Sequence, residues 1–364
     1  MGVIRSSIAA LAVGTLCTAA HAASLFIGGY PDVVLVFDEA KGAITDRITL
    51  VTGVPRSMAL SSDKSKIFVT TGGAGSGFEV IDVATRKVLS HFSLDSPVRR
   101  YRINGGVPDP TGKFYYTTLI QIDKGIDRYT VSKPKYAVID LEQQQVVRSR
   151  DVDDEDEQAT ATSFRTALAV SPDGKLLYAF RDKVVVLNTA DLKVVERIDL
   201  AKSEADLETA TFGAALESIS QPGQFVSLFN ETDPYIHNRL FGIGRFKLDT
   251  REFSFTPIGP APATMAGLQV APDGKTAYTV AVNGTFGNKR CEFWRFDLAS
   301  NVLQAKAEFP CRTRFTLGIS GDGQKLYIHG ANYQIEVYDA QALKLERTWD
   351  LHNDVTGAML TVGR

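Results

Sequence analysis

The sequence predicts an all-β protein, a single seven-bladed β-propeller of four-stranded antiparallel blades. Three observations predict it. A four-strand unit recurs along the chain at a period of roughly 40–60 residues, as propeller blades do. Turns of the Pro-Asp-Gly-Lys kind fall at the same place in most copies. No helical period of useful length runs anywhere after the N-terminus.

Residues 168–200 are the plainest copy. An apolar run, Leu168-Ala169-Val170, meets the turn Ser171-Pro172-Asp173-Gly174-Lys175. Proline sets the first turn angle and glycine takes the positive φ that closes it. A second strand follows over 176–180, a third over 184–188, and a fourth over 193–200 that alternates apolar and charged residues. That alternation marks a half-exposed outer strand. One such meander cannot bury both faces, so it requires neighbours of its own kind.

The other copies follow in order. The first has strands over 25–29, 33–37 and 44–51 and lacks an innermost strand. The second has strands over 57–60, 67–71, 78–83 and 88–94. The third has 101–107, 114–119, 136–141 and 146–152; the fifth has 213–218, 225–229, 240–248 and 252–257. The sixth has 265–271, 276–282, 291–298 and 303–309, and the seventh 315–320, 326–329, 335–338 and 345–349. One strand is left over at the C-terminus, residues 357–362. It is expected to complete the first blade and so remove the open edges of the array.

Composition bounds the function. The chain has 364 residues, a formal charge of −2 and 44% hydrophobic residues. A balance so near neutral lacks the basic footprint of a nucleic-acid binder. Residues 1–22 read as a secretory signal peptide: one arginine near the start, a small apolar run, and Ala20-His21-Ala22 before a cleavage point at Ala23. The propeller domain is then 23–364. No later run approaches the roughly 20 apolar residues of a membrane span.

Long loops gather on the face opposite the Pro-Asp-Gly turns. The third blade inserts residues 120–135, the fifth 230–239, the sixth 283–290, and an acidic run, 151–158, joins the third and fourth blades. Such insertions add no core, so their clustering points to a contact surface. Tyr129, Tyr235, His237 and Phe286 lie on these loops and are the expected partner-facing residues. Arg56, Arg100, Arg102, Arg165, Arg312 and Arg314 start innermost strands on the same face. They are expected to line the mouth of the central channel, where guanidinium groups either clamp carboxylates of a ligand or pair with acids such as Asp95 and Glu308. Cys291 and Cys311 fall near that face too; in an exported chain they favour a disulfide over two buried thiols.

Catalytic patterns are missing. His91, His237, His329 and His352 show no metal-type spacing. The glycine-rich segment 72–77 leads into a strand, not the helix that a phosphate loop needs. Tyr129 and Lys133 have a dehydrogenase-like spacing without a dinucleotide fold. The acidic run lacks the glycine and alternation of a calcium loop, and reads as solvated or partner-facing. No metal is expected.

The blade signature, residues 169–200, is similar to YVTN-type propellers of bacterial exported proteins. Within that group the chain resembles the β subunit of quinohemoprotein amine dehydrogenase. The likeness runs over residues 102–200, with the long loop before Tyr136-Ala137-Val138-Ile139-Asp140, and over 225–248, where Phe229-Asn230-Glu231-Thr232-Asp233-Pro234 leads into the next strand. The resemblance implies a periplasmic, noncatalytic propeller. It would dock a small subunit carrying cysteine tryptophylquinone and a diheme cytochrome c subunit, in an oxidative deamination of primary amines. With no Cys-x-x-Cys-His, this chain cannot attach heme c itself. The alternatives are a stand-alone exported propeller, either a lactonase-like hydrolase or a ligand- or partner-binding protein.

Overall fold

The computed structural model describes residues 23–73, 75–103, 105–156, 167–180, 183–200, 210–212, 223–232, 239–330 and 332–363. They form seven antiparallel sheets, each built on a four-strand path. The C-terminal strand, Val355–Val362, is the innermost strand of the first blade. It pairs with Ser24–Gly29, from Ser24 opposite Val362 to Gly29 opposite Val355, and Val33–Asp38 and Ala43–Thr49 complete that sheet. The ring is therefore closed by the two ends of the chain, as expected.

Seven apolar clusters fill the described core, one at each junction between neighbouring blades. Each sheet buries both faces of its middle strands: Leu176–Phe180 and Lys183–Asn188 are almost wholly buried in the fourth blade, whereas its outer strand, Val194–Asp199, is not. This is why middle strands read as continuous apolar runs and outer strands as alternating ones.

Two local devices repeat around the ring. The turn between third and fourth strands puts one residue of every blade in the left-handed region: Gly42, Arg86, Gln144, Leu192, Arg251, Asn301 and Leu343, with φ between 54° and 62°. In five of the blades the N–H of that residue donates back four positions, as from Arg86 to Asp82 at 2.9 Å and from Leu343 to Asp339 at 2.8 Å. An Asp or Asn at the start of the turn accepts a further backbone N–H, for example Asp140 from Gln143 at 2.8 Å. Only the first blade uses glycine there; the others carry the steric cost of a Cβ at positive φ.

The second device joins blades. The third residue of several second strands is a tyrosine that reaches the next blade. Tyr178 donates to the Leu248 carbonyl at 2.6 Å, and Tyr327 donates to the Glu39 carboxylate at 2.6 Å, across the closing junction. On the turn face, the glycine of one Ser-x-Asp-Gly turn sits against the preceding blade. A Cβ at Gly323 would lie 2.9 Å from Pro272, and its φ is +72°.

The third and sixth blades depart from the simple unit. The innermost strand of the third is split into Arg99–Ile103 and Val107–Pro108 by Gly105 and Gly106. A Cβ at Gly106 would lie 2.2 Å from the Tyr116 carbonyl, so no other residue fits. The sixth is split into Thr264–Met265 and Gln269–Val270. In the fifth, the described innermost strand is Ala210–Phe212, and the expected 213–218 lies outside the described residues. So do residues 1–22, the expected signal peptide.

Two stability outcomes follow. Gln144→Gly removes an exposed side chain and relieves the left-handed strain, and should raise stability by about 1 kcal/mol in urea titration. Tyr327→Phe takes from the half-buried Glu39 carboxylate its short hydroxyl donor, leaving the longer Gly321 N–H contact at 3.4 Å, and should cost about 1–3 kcal/mol, more than Tyr178→Phe, which loses a neutral bond of about 1 kcal/mol.

Candidate functional site

The insertion in the third blade is not a loose loop. Its second strand runs on as Phe114–Lys124, eleven residues, and the chain returns through Tyr129–Val131 before Lys135–Asp140. Ile122 pairs with Val131 and Lys124 with Tyr129; on the other side Ile122 pairs with Arg100 and Asp123 with Arg99. The result is a three-stranded ribbon projecting from the blade, closed by a turn in which the Gly125 N–H donates to the Arg128 carbonyl at 2.8 Å. Strand alternation sorts its residues. Arg99, Asp123 and Thr130 share one face, where Arg99 and Asp123 form an ion pair at 2.6 Å. Arg100, Ile122 and Val131 share the other. Tyr129 is exposed on the ribbon.

A second feature lies between the fifth and sixth blades. A cleft of about 350 Å³ is lined by Leu228, Asn230, Arg239 and the segment 262–268 that interrupts the innermost strand. Tyr235 and His237 lie outside the described residues, as does Arg165. Phe286 begins a short 3-10 helix, Phe286–Asn288, on the neighbouring loop. Cys291 and Cys311 are joined in a disulfide with Cα atoms 5.2 Å apart, tying the third strand of the sixth blade to the segment leading into the seventh.

The arginines divide. Arg56 is exposed and packs over Gly72; Arg100, Arg102 and Arg314 are exposed as well. Arg312 turns inward. It binds Glu336 at 2.8 Å and the Gln334 carbonyl at 3.2 Å, with a side chain only 15% exposed. It braces the seventh blade. Of the acids expected as partners, Asp95 accepts backbone N–H groups of Ser76 and Tyr101, at 3.1 and 2.9 Å, and Glu308 lies 3.9 Å from Arg290.

The acidic run is solvated only in part: Asp151, Asp154 and Glu155 are exposed, but two of its acids are not. Asp153 and Asp156 turn inward onto Arg197, and Lys183 adds a second cation at 2.9 Å from Asp156. Burial alone would raise the Asp156 carboxyl; bonds from Arg197 and Lys183 outweigh it and hold it below the usual range. Asp154 faces out and pairs with Lys133. Oxygens of Asp153, Glu155 and Asp156 lie within 4.8 Å of one another, a spacing that a cation would accept, but the two basic side chains already neutralise them. Sequence alone gives no sign of this, because Arg197 sits 41 residues beyond Asp156.

Among the described residues, no nucleophile, base and orienting group come together. His91 and His352 are exposed. His329 is wholly buried in the second strand of the seventh blade, and neither ring nitrogen has a described hydrogen-bond partner. Burial, with the nearby Arg312 charge, pushes its pKa down to about 4.

Neither a protein-family model nor a curated protein matches this chain. Solved structures do. Apo AztD from Citrobacter koseri is similar over 94% of this chain and 99% of its own, at 14% identity and a TM-score of 0.53. A candidate 6-phosphogluconolactonase of Bacteroides fragilis matches over 95% and 99%, at 12% identity and a TM-score of 0.55. Hydrazine synthase of Kuenenia stuttgartiensis matches over 85% and 89%, at 16% identity and a TM-score of 0.50. At these identities the likeness establishes the propeller fold and nothing finer.

His329 generates a pH prediction. Its folded pKa lies below the unfolded value near 6.5, so the unfolded chain takes up the proton first. The stability it contributes is full above that value and is lost as pH falls toward about 4. Urea titrations at pH 7.5, 5.5 and 4.5 should show wild type losing about 3 kcal/mol more across this range than His329→Leu, each referred to its own value at pH 7.5.

Proposed function

We propose that this chain is a noncatalytic, exported propeller subunit of a quinohemoprotein-type amine dehydrogenase, acting in the periplasm. In this reading it docks a small subunit carrying cysteine tryptophylquinone and a diheme cytochrome c subunit. The partners deaminate a primary amine and pass the electrons to heme. The propeller holds the quinone subunit and keeps water from the amine, which strengthens the electrostatics at the reacting centre.

The observation that carries the reading is the third-blade ribbon. It is a folded extension in the blade where the sequence resemblance is strongest, and it adds surface without adding core. The lack of a reactive cluster among the described residues fits a docking role. So do the cysteines: apart from Cys17 in the signal segment, both are spent in the disulfide, leaving none to attach heme. One observation favours the alternative of a stand-alone exported propeller. The cleft beside Arg239 and Asn230 has the size of a small-ligand site. A lactonase-like hydrolase would further need a metal or an acid–base pair at that cleft.

Affinity isolation of the full chain from the periplasm of its source organism tests the reading. Heme staining and quinone-dependent redox staining of the isolate should each mark a co-isolated chain, and an added primary amine should reduce the heme. A chain that isolates alone, with neither stain, refutes the assignment.

A further inference from the structure

The third-blade ribbon carries an unusual surface on one side. Its pairs fix which side chains share that side: Arg102 with Ile120, Arg100 with Ile122 and Val131, and Lys124 with Tyr129. Tyr129 is 66% exposed and Val131 61%; Ile126, at the tip, is fully exposed. Val98, whose carbonyl accepts the Lys124 N–H at 2.8 Å, is exposed beside them. Large apolar side chains singly on a surface need no explanation, but a cluster on a projecting element marks an interaction site.

Charge says what the site takes. Arg100, Arg102 and Lys124 are exposed on this side, and none has an acidic partner among the described residues. The ribbon's own acids are used elsewhere. Asp123 is held on the opposite side by Arg99 and Gln121, and Asp127 by its neighbour Arg128. Three cations therefore frame an apolar strip, in a chain whose net charge is −2. No described residue supplies the matching negative charge, which leaves these cations open to a complement from outside.

We infer that this side of the ribbon docks a protein with an acidic, apolar-centred surface: carboxylates for Arg100, Arg102 and Lys124, and a pocket for Ile126 and Tyr129. The aromatic and aliphatic anchors supply the desolvated centre, and the cations steer approach and fix register. This rests on the reading that the chain docks another protein, and not on what that protein carries.

Photo-crosslinking in the native compartment tests it. With p-benzoylphenylalanine at position 126 of the full exported chain, irradiation should give one dominant protein adduct, mapped by mass spectrometry to an acidic segment. Purified as a complex, that partner should bind wild type with an affinity that falls as salt rises. Binding should weaken at least tenfold in Arg100→Glu/Arg102→Glu and in Tyr129→Ala, while Arg99→Ala on the opposite side keeps it within twofold. An adduct with lipid, an adduct with a second copy of this chain, no adduct, or binding indifferent to the double charge reversal would each overturn the inference. An acidic partner lacking both heme and quinone would sink the amine dehydrogenase assignment and leave this surface standing.

Discussion

Ring closure is the constraint on which the structure depends. Every blade buries both faces of its middle strands, so none is stable beside an empty place. Six junctions are made by neighbours in sequence. The seventh has to be made by the ends of the chain, and the pairing of Ser24–Gly29 with Val355–Val362 does it. Side chains reinforce that seam. Tyr327 reaches Glu39, and the Thr361 hydroxyl donates to the Ile319 carbonyl at 2.7 Å. The carboxylate of Glu39 is drawn out of water by the seam. Burial raises its pKa, and the Tyr327 bond opposes the rise.

Because closure demands near-identical junctions, sequence freedom is confined to the parts that do not pack. The turn on one face is pinned by its neighbour, with Gly323 against Pro272 and Gly174 against Pro110. An insertion there would break contact with the next blade. Among the described residues the other face shows no such repeated contact, and the third-blade ribbon and the cleft between blades five and six both arise on it. The fold thus assigns stability to one face and variability to the other, before any particular ligand is considered.

Much of this was legible in the sequence, for physical reasons that can be named. Residues 168–200 displayed a whole blade because buried middle strands and a half-exposed outer strand leave different patterns. The C-terminal strand was legible because the first copy was one strand short. What was hidden depends on contacts distant in sequence. The split inner strand of the third blade is set by the approach of Gly106 to the Tyr116 carbonyl, which no local pattern encodes. The acidic run read as solvated because Arg197 and Lys183, which neutralise it, belong to the next blade. That Arg312 pairs with an acid was one of two readings, but the acid itself, Glu336, was hidden because it lies two strands away. The ribbon was recognised as an insertion, but not as folded, since 120–135 lacks the apolar density of a core strand.

Perturbed ionisation usually marks an active site, because catalysis needs shifted groups. Here the strongly shifted groups that are buried sit elsewhere. Tyr115, Tyr327 and His329 are almost wholly buried, and burial is the first cause of each shift. Tyr115 and Tyr327 belong to apolar clusters between blades. They are desolvated by the packing that holds the ring together, away from any described cleft. The cations on the open side of the ribbon, Arg100, Arg102 and Lys124, have neither burial nor a described acidic partner. The described residues thus set two kinds of ionisable group apart, those sealed into junctions by the packing of the ring and the cations displayed on the projecting edge.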